Sequence, residues 1–334
     1  NLLVIPQRER ANPFYLTHLQ RLMRIFTQAG LNVRLGTLDG QPQTLTAPDG
    51  AELQIDPVQR QRGRLGLKDF DPCTILLNDD LAGGGPDLLQ ALHQQYLLPP
   101  LHAGFGVRRK SRHFESYEEV AKKFAKLLGM DPWLINPMFT QCGAVDFHQP
   151  SALGCVQENV DALLGKVRRK YKEYGINEKP FVVVKADTGR GQQGLISVRD
   201  AKDIEGRVAR LLAEGADGAD LAEATQVIIQ EGVPTYERMN EAVAEPVVYM
   251  IDRYVVGGFY RVHAERGIDE ALNAPGSSFV PLAFAESSQL PRMGAKPGAS
   301  APNRFYMYGV IGRLAMLAAS YELEATDPEA EVYD

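Results

Sequence analysis

A lysine and a glycine-rich segment stand at the end of one apolar run, where they could bind phosphate. Lys185 directly follows the run Phe181–Val184. Three glycines come next: Gly189, Gly191 and Gly194. The backbone amides of such a loop can surround phosphate oxygens, and an ammonium group adds the complementary charge. The residues therefore favour a phosphate site, although a solvated lysine beside an ordinary glycine hairpin has the same pattern.

The glycine spacing is G-x-G-x-x-G, yet it does not predict a dinucleotide-binding loop. That loop opens a helix at its last glycine, whereas the extended segment Leu195–Val198 follows here. The protein-kinase arrangement differs as well, because the kinase lysine lies downstream of the glycines while Lys185 lies upstream. The pattern predicts a loop that joins two antiparallel strands.

A second polar segment follows another apolar run and could hold the rest of a nucleotide. Four residues could offer backbone groups to adenine: Gln230, Glu231, Gly232 and Val233. The carboxylate of Glu237 could accept hydrogen bonds from ribose hydroxyls. Further on, Asp269, Glu270 and Asn273 place oxygen ligands close together, which suits Mg²⁺. An acidic surface loop would have the same composition.

The elements that must position these residues divide into two regions. Apolar runs at Leu2–Ile5 and Thr74–Asn78 and a helix from Pro13 to Gly30 predict a parallel sheet flanked by helices, an α/β domain. We further expect a helix at 86–96, a helix at 116–130, and loop with one hairpin at 41–72. Two prolines in 131–137 mark a boundary, so we predict domains at 1–135 and 136–334.

The second region has a different sequence pattern. Short β-branched segments are separated by turns, at 181–184, 195–198, 227–229, 247–251 and 254–256. Helices are expected at 201–214 and 303–322. Such a pattern is typical of antiparallel sheets backed by helices, an α+β arrangement.

Composition limits the function and the compartment. The 334 residues carry 36 Lys+Arg and 42 Asp+Glu, a net charge of −6, so no global basic field favours nucleic acid or an anionic membrane. Apolar runs are too short for a membrane span or a signal peptide, and we expect a cytoplasmic protein. Cys73, Cys142 and Cys155 lack the spacing of a disulfide framework or a zinc site, so we expect a reducing compartment, with Cys142 and Cys155 as small buried hydrophobes.

The order of lysine strand, glycine loop, strand, helix and Gln-Glu-Gly-Val linker resembles that of ATP-grasp ligases. Four stretches resemble, more specifically, the proteobacterial type III glutamate–cysteine ligases: 99–114, 131–137, 240–252 and 257–281. The resemblance implies a Rossmann-like (pre-ATP-grasp) N-terminal domain followed by an ATP-grasp fold. It implies ATP and Mg²⁺ as cofactors, and joining of the γ-carboxylate of L-glutamate to L-cysteine through a γ-glutamyl phosphate. That reaction opens glutathione biosynthesis.

The same resemblance implies roles for individual cations. Lys110 and Lys185 would bind ATP phosphates, and Arg261 would steady the acyl phosphate. Arg108, Arg109, Arg261 and Asn273 would contact the substrates. Alternatively, 108–110 is a solvated helix entry, and Arg261 forms an ion pair with Glu265 or Asp269 on the following loop.

Two other functions stay open at this point. Another ATP-grasp amide ligase, such as a glutathione synthetase, would use the same nucleotide-binding residues. A non-catalytic module that senses amino acids or nucleotides would need binding without turnover. The sequence leaves the oligomeric state undetermined.

Overall fold

The computed structural model describes residues 1–7, 12–81, 84–92, 94–188, 195–214, 219–282 and 304–328. The chain divides into two compact units, residues 1–108 and 109–334. Among the described residues no helix is both long and apolar enough to cross a membrane.

The first unit is an α/β sheet structure. Its strands and long helix are β1 (Leu2–Pro6), α1 (Pro13–Gln28), β2 (Val33–Thr37), β3 (Gln43–Thr46), β4 (Glu52–Pro57), β5 (Gln59–Gln61), β6 (Arg64–Gly66), β7 (Thr74–Asn78) and β8 (Tyr96–Leu98). Six of these strands form one sheet in the order β3-β4-β2-β1-β7-β8. All neighbours in it are parallel except β3 and β4. The predicted parallel sheet is therefore confirmed.

Local sequence explains the start of this unit. Strand β1 is buried throughout, as expected for a central parallel strand covered on both faces. Helix α1 begins where Asn12 accepts a hydrogen bond from the Phe14 amide at 2.9 Å and Pro13 occupies the first helical turn. Leu19 of this helix packs against Leu2 and Val4.

Two expectations for the first unit are wrong. The segment 86–96 contains only a 3₁₀ turn at Asp87–Leu89 before β8 begins. The polar segment 41–72 contains two hairpins and not one, because β3 pairs with β4 and β5 pairs with β6. The turns of these hairpins contain Gly50 and Gly63, both with φ above +80°, a backbone conformation that glycine adopts without steric cost.

The second unit consists of antiparallel sheets and helices. Its elements are α2 (Lys110–Leu128), β9 (Phe139–Gly143), α3 (Gly154–Tyr174), β10 (Val182–Ala186), β11 (Ile196–Val198), α4 (Ile204–Glu214), α5 (Ala219–Ala222), β12 (Gln226–Glu231), β13 (Arg238–Met239), β14 (Ala242–Ile251), β15 (Tyr254–His263), β16 (Ser278–Pro281) and α6 (Arg304–Thr326). The two sheets run β11-β10-β12-β9 and β13-β14-β15-β16. All their pairs are antiparallel, which confirms the predicted α+β arrangement.

Helix α3 backs the first of these sheets. It buries residues at spacings of three and four, including Val160, Leu164 and Val167, against Val182 and Val227. This is the apolar stripe that an amphipathic helix presents to a core. The packing leaves the opposite face of the sheet available for a ligand site.

The division between the units falls before helix α2, at 108/109, whereas the boundary predicted from the sequence lies after that helix, at 135/136. Helix α2 packs on α6 through a small cluster that includes Tyr117, Val120, Leu314 and Ala318. This pairing with a helix from the far end of the chain assigns α2 to the second unit.

The expectation for two of the cysteines is wrong. Cys142 and Cys155 form a disulfide between β9 and the first turn of α3. Cys142 is buried while Cys155 is exposed, and the amide nitrogen of Asn159 lies within hydrogen-bond distance of both sulfurs. The spacing carried no sign of this pair, because strand β9 and helix α3 bring the two residues together only in the folded unit.

Candidate active site

The second unit contains a cleft of about 360 Å³. One side comes from β10 and the end of β12, and the other from the loop that follows β15. Lys185 and the linker 230–233 line the first side, while residues 268–273 line the second. The structure therefore brings together eight of the residues predicted from sequence: Lys185, Gln230, Glu231, Gly232, Val233, Asp269, Glu270 and Asn273.

Strand alternation places Lys185 in the cleft. Along β10, Val182, Val184 and Ala186 are buried in the core, so Val183 and Lys185 point to the other face. The ammonium Nζ of Lys185 donates a hydrogen bond to Oε1 of Gln230 at 3.0 Å. Burial lowers the pKa of Lys185, because the ammonium has lost water that would stabilise its charge. The solvated alternative for this lysine is excluded.

Glu231, the last residue of β12, holds the linker 230–233 through both its backbone and its side chain. The Glu231 amide donates to the Met138 carbonyl at 2.8 Å. The Glu231 carboxylate accepts hydrogen bonds from Nε1 of Trp133 at 2.9 Å and from the Met138 amide at 3.0 Å. Burial raises the pKa of Glu231. Its carboxylate is thus part of the packing, and only backbone groups of this residue are suited to a nucleotide base.

Gly232 is required by close packing. Its amide donates to the Phe181 carbonyl at 2.8 Å, and a Cβ at this position would lie 2.1 Å from the Phe181 ring. A larger residue would displace the ring from the wall of the cleft. The glycine therefore serves the shape of the site.

Lys110 holds the end of β10. Its ammonium donates to the carbonyls of Ala186 at 2.7 Å and Thr188 at 2.6 Å, and its amide donates to the Asp187 carbonyl at 2.8 Å. Lys110 is not among the residues that line the cleft. The geometry differs from the phosphate contact expected of it, because two carbonyls already receive the ammonium.

Asp187 and Ser111 also hold the end of β10 against the start of α2, and neither role was predicted from the sequence. The two carboxylate oxygens of Asp187 accept hydrogen bonds from the amide and the hydroxyl of Ser111, each at 2.8 Å. Both residues are almost fully buried. A carboxylate at a helix N-terminus accepts hydrogen bonds from free amides, and its negative charge interacts favourably with the positive end of the helix dipole. Because the cap comes from a residue 76 positions away, no local pattern could have revealed it.

Arg261 pairs across the second sheet. Its Nη1 donates to Oε1 of Glu245 at 2.6 Å, and the two residues stand opposite each other in the β14–β15 register. The ion-pair partner of Arg261 is therefore Glu245 on the neighbouring strand. It is neither Glu265 nor Asp269, the two partners considered from the sequence. The Nε atom of Arg261 is buried and has no hydrogen-bond partner in the described part of the chain. Glu245 lines the cleft, whereas Arg261 does not.

Glu237 contacts the last helix of the unit. Its Oε1 accepts a hydrogen bond from the hydroxyl of Tyr308 on α6 at 2.8 Å. Burial and this contact raise the pKa of Tyr308. Like Arg261, Glu237 lies outside the lining of the cleft.

The predicted magnesium ligands line the cleft but do not form a metal cage. Asp269 pairs with Arg199. Glu270 accepts from the Gly267 amide at 2.7 Å and from Arg266 at 3.3 Å, and the Gly267 bond lowers the pKa of Glu270. No group of three His, Cys, Asp or Glu side chains suited to a metal occurs in the described ranges.

The other predicted site residues lie elsewhere. Arg108 ends the first unit, and Arg109 immediately precedes α2; neither lines the cleft. Gly189, Gly191 and Gly194 lie outside the described residues, between the antiparallel strands β10 and β11. The predicted antiparallel pairing around the glycine segment is confirmed.

A second cavity adjoins the cleft. It measures about 1060 Å³ and shares Asp269, Glu270 and Asn273 with the cleft. Its wall also carries Arg199, Arg207 and Arg266. Charges of both signs thus surround this cavity.

The chain belongs to the glutamate-cysteine ligase family, whose profile, GshA, matches residues 1–323. A solved structure from Methylobacillus flagellatus KT, of a protein provisionally named a gamma-glutamylcysteine synthetase, is 48% identical over 98% of this chain and 77% of its own, with a TM-score of 0.82. No curated protein matches the chain. The resemblance to glutamate–cysteine ligases seen in the sequence and the predicted ligase class are confirmed.

Two solved structures are more distant. D-cycloserine synthetase DcsG shares 12% identity over 98% of this chain and 83% of its own, with a TM-score of 0.46. D-alanyl-alanine synthetase A from Vibrio cholerae O1 biovar eltor str. N16961 shares 12% identity over 94% and 80%, with a TM-score of 0.39. These likenesses are too weak to support an argument about the site.

Proposed function

We propose that this chain uses ATP to join the γ-carboxylate of L-glutamate to the amino group of L-cysteine, with release of ADP and phosphate. One observation supports the site above all others: a desolvated ammonium, Lys185, faces a cleft with a neutral amide as its partner. An anionic ligand would supply the opposite charge that this lysine lacks. A nucleotide phosphate fits that requirement.

In the proposed first step, an oxygen of the glutamate γ-carboxylate attacks the γ-phosphorus of ATP and the bond to ADP breaks. Phosphoryl transfer depends mainly on positioning and on cations near the migrating group. Lys185 would stabilise charge on the terminal phosphate oxygens. Lys110 would contribute by holding the backbone that follows Lys185, through the carbonyls of Ala186 and Thr188.

In the second step, the cysteine amine attacks the acyl carbon, phosphate leaves and the amine loses a proton. We propose that Arg261 stabilises the negative charge of the acyl phosphate until this attack. Its pairing with Glu245, which lines the cleft, holds the guanidinium near the same wall.

The remaining contacts follow the walls of the cleft. Adenine would meet backbone groups of 230–233 between the apolar side chains of Phe181 and Leu272, and Glu237 would serve the ribose. Glycines 189, 191 and 194 would serve the phosphates. Mg²⁺ would arrive with the phosphates and take one or two protein oxygens, from Asp269, Glu270 or Asn273, which line the cleft.

The amino-acid substrates would occupy the adjoining cavity. An amino acid carries an ammonium and a carboxylate, and the wall offers arginines and acids to match both. Arg108 and Arg109 would also contact the substrates. This part of the proposal rests only on the resemblance to the ligase family. The small-molecule substrates are glutamate and cysteine.

Product analysis tests the reaction. With ATP, Mg²⁺, glutamate and cysteine, the protein should release ADP and phosphate; AMP and pyrophosphate would refute the phosphorylated intermediate. Replacing glutamate and cysteine by γ-glutamylcysteine and glycine tests a glutathione synthetase. Binding of ATP with no turnover on either pair would favour the sensing module.

Arg261→Ala tests the second step. We expect a lower kcat with little change in the KM for ATP, because the lost contact is made after phosphoryl transfer. Glu245→Gln is the matched control, since it removes the ion pair and keeps the guanidinium. Equal losses in the two variants would assign Arg261 to the ion pair alone.

A further inference from the structure

His263 is a buried titratable side chain for which the proposed reaction has no use. It is the last residue of β15 and is 5% exposed. Its Nε2 lies 3.0 Å from the Pro275 carbonyl oxygen, and its Nδ1 accepts a hydrogen bond from the Glu265 amide at 3.2 Å. The imidazole therefore binds both ends of the intervening loop, residues 264–275.

The two partners fix the chemical state of the ring. A carbonyl oxygen can only accept, so Nε2 carries the proton; a backbone amide can only donate, so Nδ1 is unprotonated. The ring is thus the neutral Nε2–H tautomer. Any replacement must supply a donor on one side and an acceptor on the other to keep both bonds.

The loop held by this ring is one wall of the cleft. Its residues 268–273 face Lys185 and the linker 230–233. One further backbone bond, from the Thr235 amide to the Ile268 carbonyl at 2.7 Å, connects the loop to the segment after β12. Gly276, beyond the loop, has φ +94° and lies against the His263 ring. The loop ends therefore meet at His263.

We infer that His263 is a positioning residue: by binding the Glu265 amide and the Pro275 carbonyl, it sets the place of the wall that carries Asp269, Glu270 and Asn273. The inference rests on the proposed function, because it assumes that this cleft receives the nucleotide. His263 itself is not among the residues that line the cleft, so it acts through the loop.

Two amide substitutions separate the two bonds. In His263→Gln the side-chain amide can reach the place of Nε2 and donate to Pro275, but the acceptor for Glu265 is lost. In His263→Asn the side-chain oxygen can take the place of Nδ1 and accept from Glu265, but the donor for Pro275 is lost. His263→Leu removes both bonds and retains an apolar side chain. His148→Gln, at an exposed histidine of the same unit, is the control.

Each amide variant should raise the KM for ATP about 3- to 10-fold, the effect of one lost hydrogen bond, with a smaller change in kcat per folded molecule. His263→Leu should raise it more than either, and His148→Gln should match the wild type. A purely structural role would lower the folded fraction and kcat at an unchanged KM. Wild-type KM values in both amide variants, or loss of kcat alone, would overturn the inference even if His263→Leu fails to fold.

Calorimetric binding of a non-hydrolysable ATP analogue with Mg²⁺ keeps this test independent of turnover. The expected order of affinity is wild type, then the two amide variants, then His263→Leu. If the wild type makes no ADP with glutamate and cysteine, the proposed reaction fails, and this order still supports the role of His263. Equal affinities in all variants, or no binding by the wild type, overturn it.

Discussion

Replacing Lys185 with methionine separates ligand binding from stability at one position. Methionine retains an unbranched apolar stem and lacks the ammonium that faces the cleft. A hydrogen bond to a charged partner contributes about 1.5–3 kcal/mol, which corresponds to about a 10- to 150-fold rise in the KM for ATP at about 1.36 kcal/mol per tenfold change.

The free energy of unfolding of Lys185→Met should not fall along with its affinity for ATP. Burial lowers the pKa of Lys185 below its usual 10.5, so the folded protein binds this proton less well than the unfolded chain. The free energy of unfolding therefore rises with pH between the folded pKa and 10.5, and the charged lysine destabilises the fold below that window. At neutral pH, Lys185→Met should be at least as stable as the wild type, with a flatter pH dependence.

Lys170→Met is the matched control. Lys170 donates to Asp131 at 2.5 Å and to Glu173 at 2.9 Å, and the Asp131 carboxylate raises the pKa of Lys170. A raised pKa gives stability that is complete below 10.5 and lost as pH rises through the folded value. This variant should lose stability at neutral pH and keep its KM for ATP.

The assay combines steady-state ADP release at varied ATP with urea unfolding at neutral and alkaline pH. A raised KM together with unreduced stability in Lys185→Met supports the buried-cation argument. Wild-type KM and turnover in this variant would refute it. A loss of stability in Lys185→Met equal to that in Lys170→Met would refute the desolvation argument.

Three further predictions concern residues of the second unit. Asp187→Asn should lower the free energy of unfolding by about 1–2 kcal/mol in urea denaturation, because it removes a charged helix cap; an unchanged value would contradict the cap. Burial raises the pKa of Glu231, so wild-type stability should fall as pH rises from 4.5 through the folded value, whereas Glu231→Gln should lack this decline when unfolding is followed by Trp133 fluorescence. Reduction of the Cys142–Cys155 disulfide, which closes a 13-residue separation, should lower Tm and cost about 3 kcal/mol; equal Tm values with and without reductant would contradict a stabilising bond.

The elements of the cleft could be predicted from sequence because their signals are local. The run before Lys185 is short and rich in β-branched residues, which favours a strand, and the antiparallel partner β11 follows β10 closely in sequence. The linker 230–233 ends the next such strand. Strand β12 pairs with β10 only after β11, α4 and α5, so the linker was grouped with Lys185 by the resemblance of the motif order to that of ATP-grasp ligases.

The two hairpins of 41–72 also have local turn signals in the sequence. The Pro48-Asp49-Gly50 and Arg62-Gly63 segments are turn sequences, and both form hairpin turns. The polar composition of 41–72 concealed these strands. At 86–96, apolar residues at helical spacing suggested a helix, but Tyr96–Leu98 pairs with β7 instead, since the sheet offers backbone partners that a short isolated helix lacks.

The types and positions of the charged residues follow from the sequence: Lys185 and Arg261 lie on strands, and the acids of 264–275 lie on the loop after β15. The partner of each charge follows only from the folded structure. Lys110 binds carbonyls at the end of β10, Arg261 pairs with Glu245, and His263 binds two loop ends. The physical reason is that a buried polar group must find a partner wherever the fold provides one, and that partner is set by long-range packing rather than by neighbours along the chain.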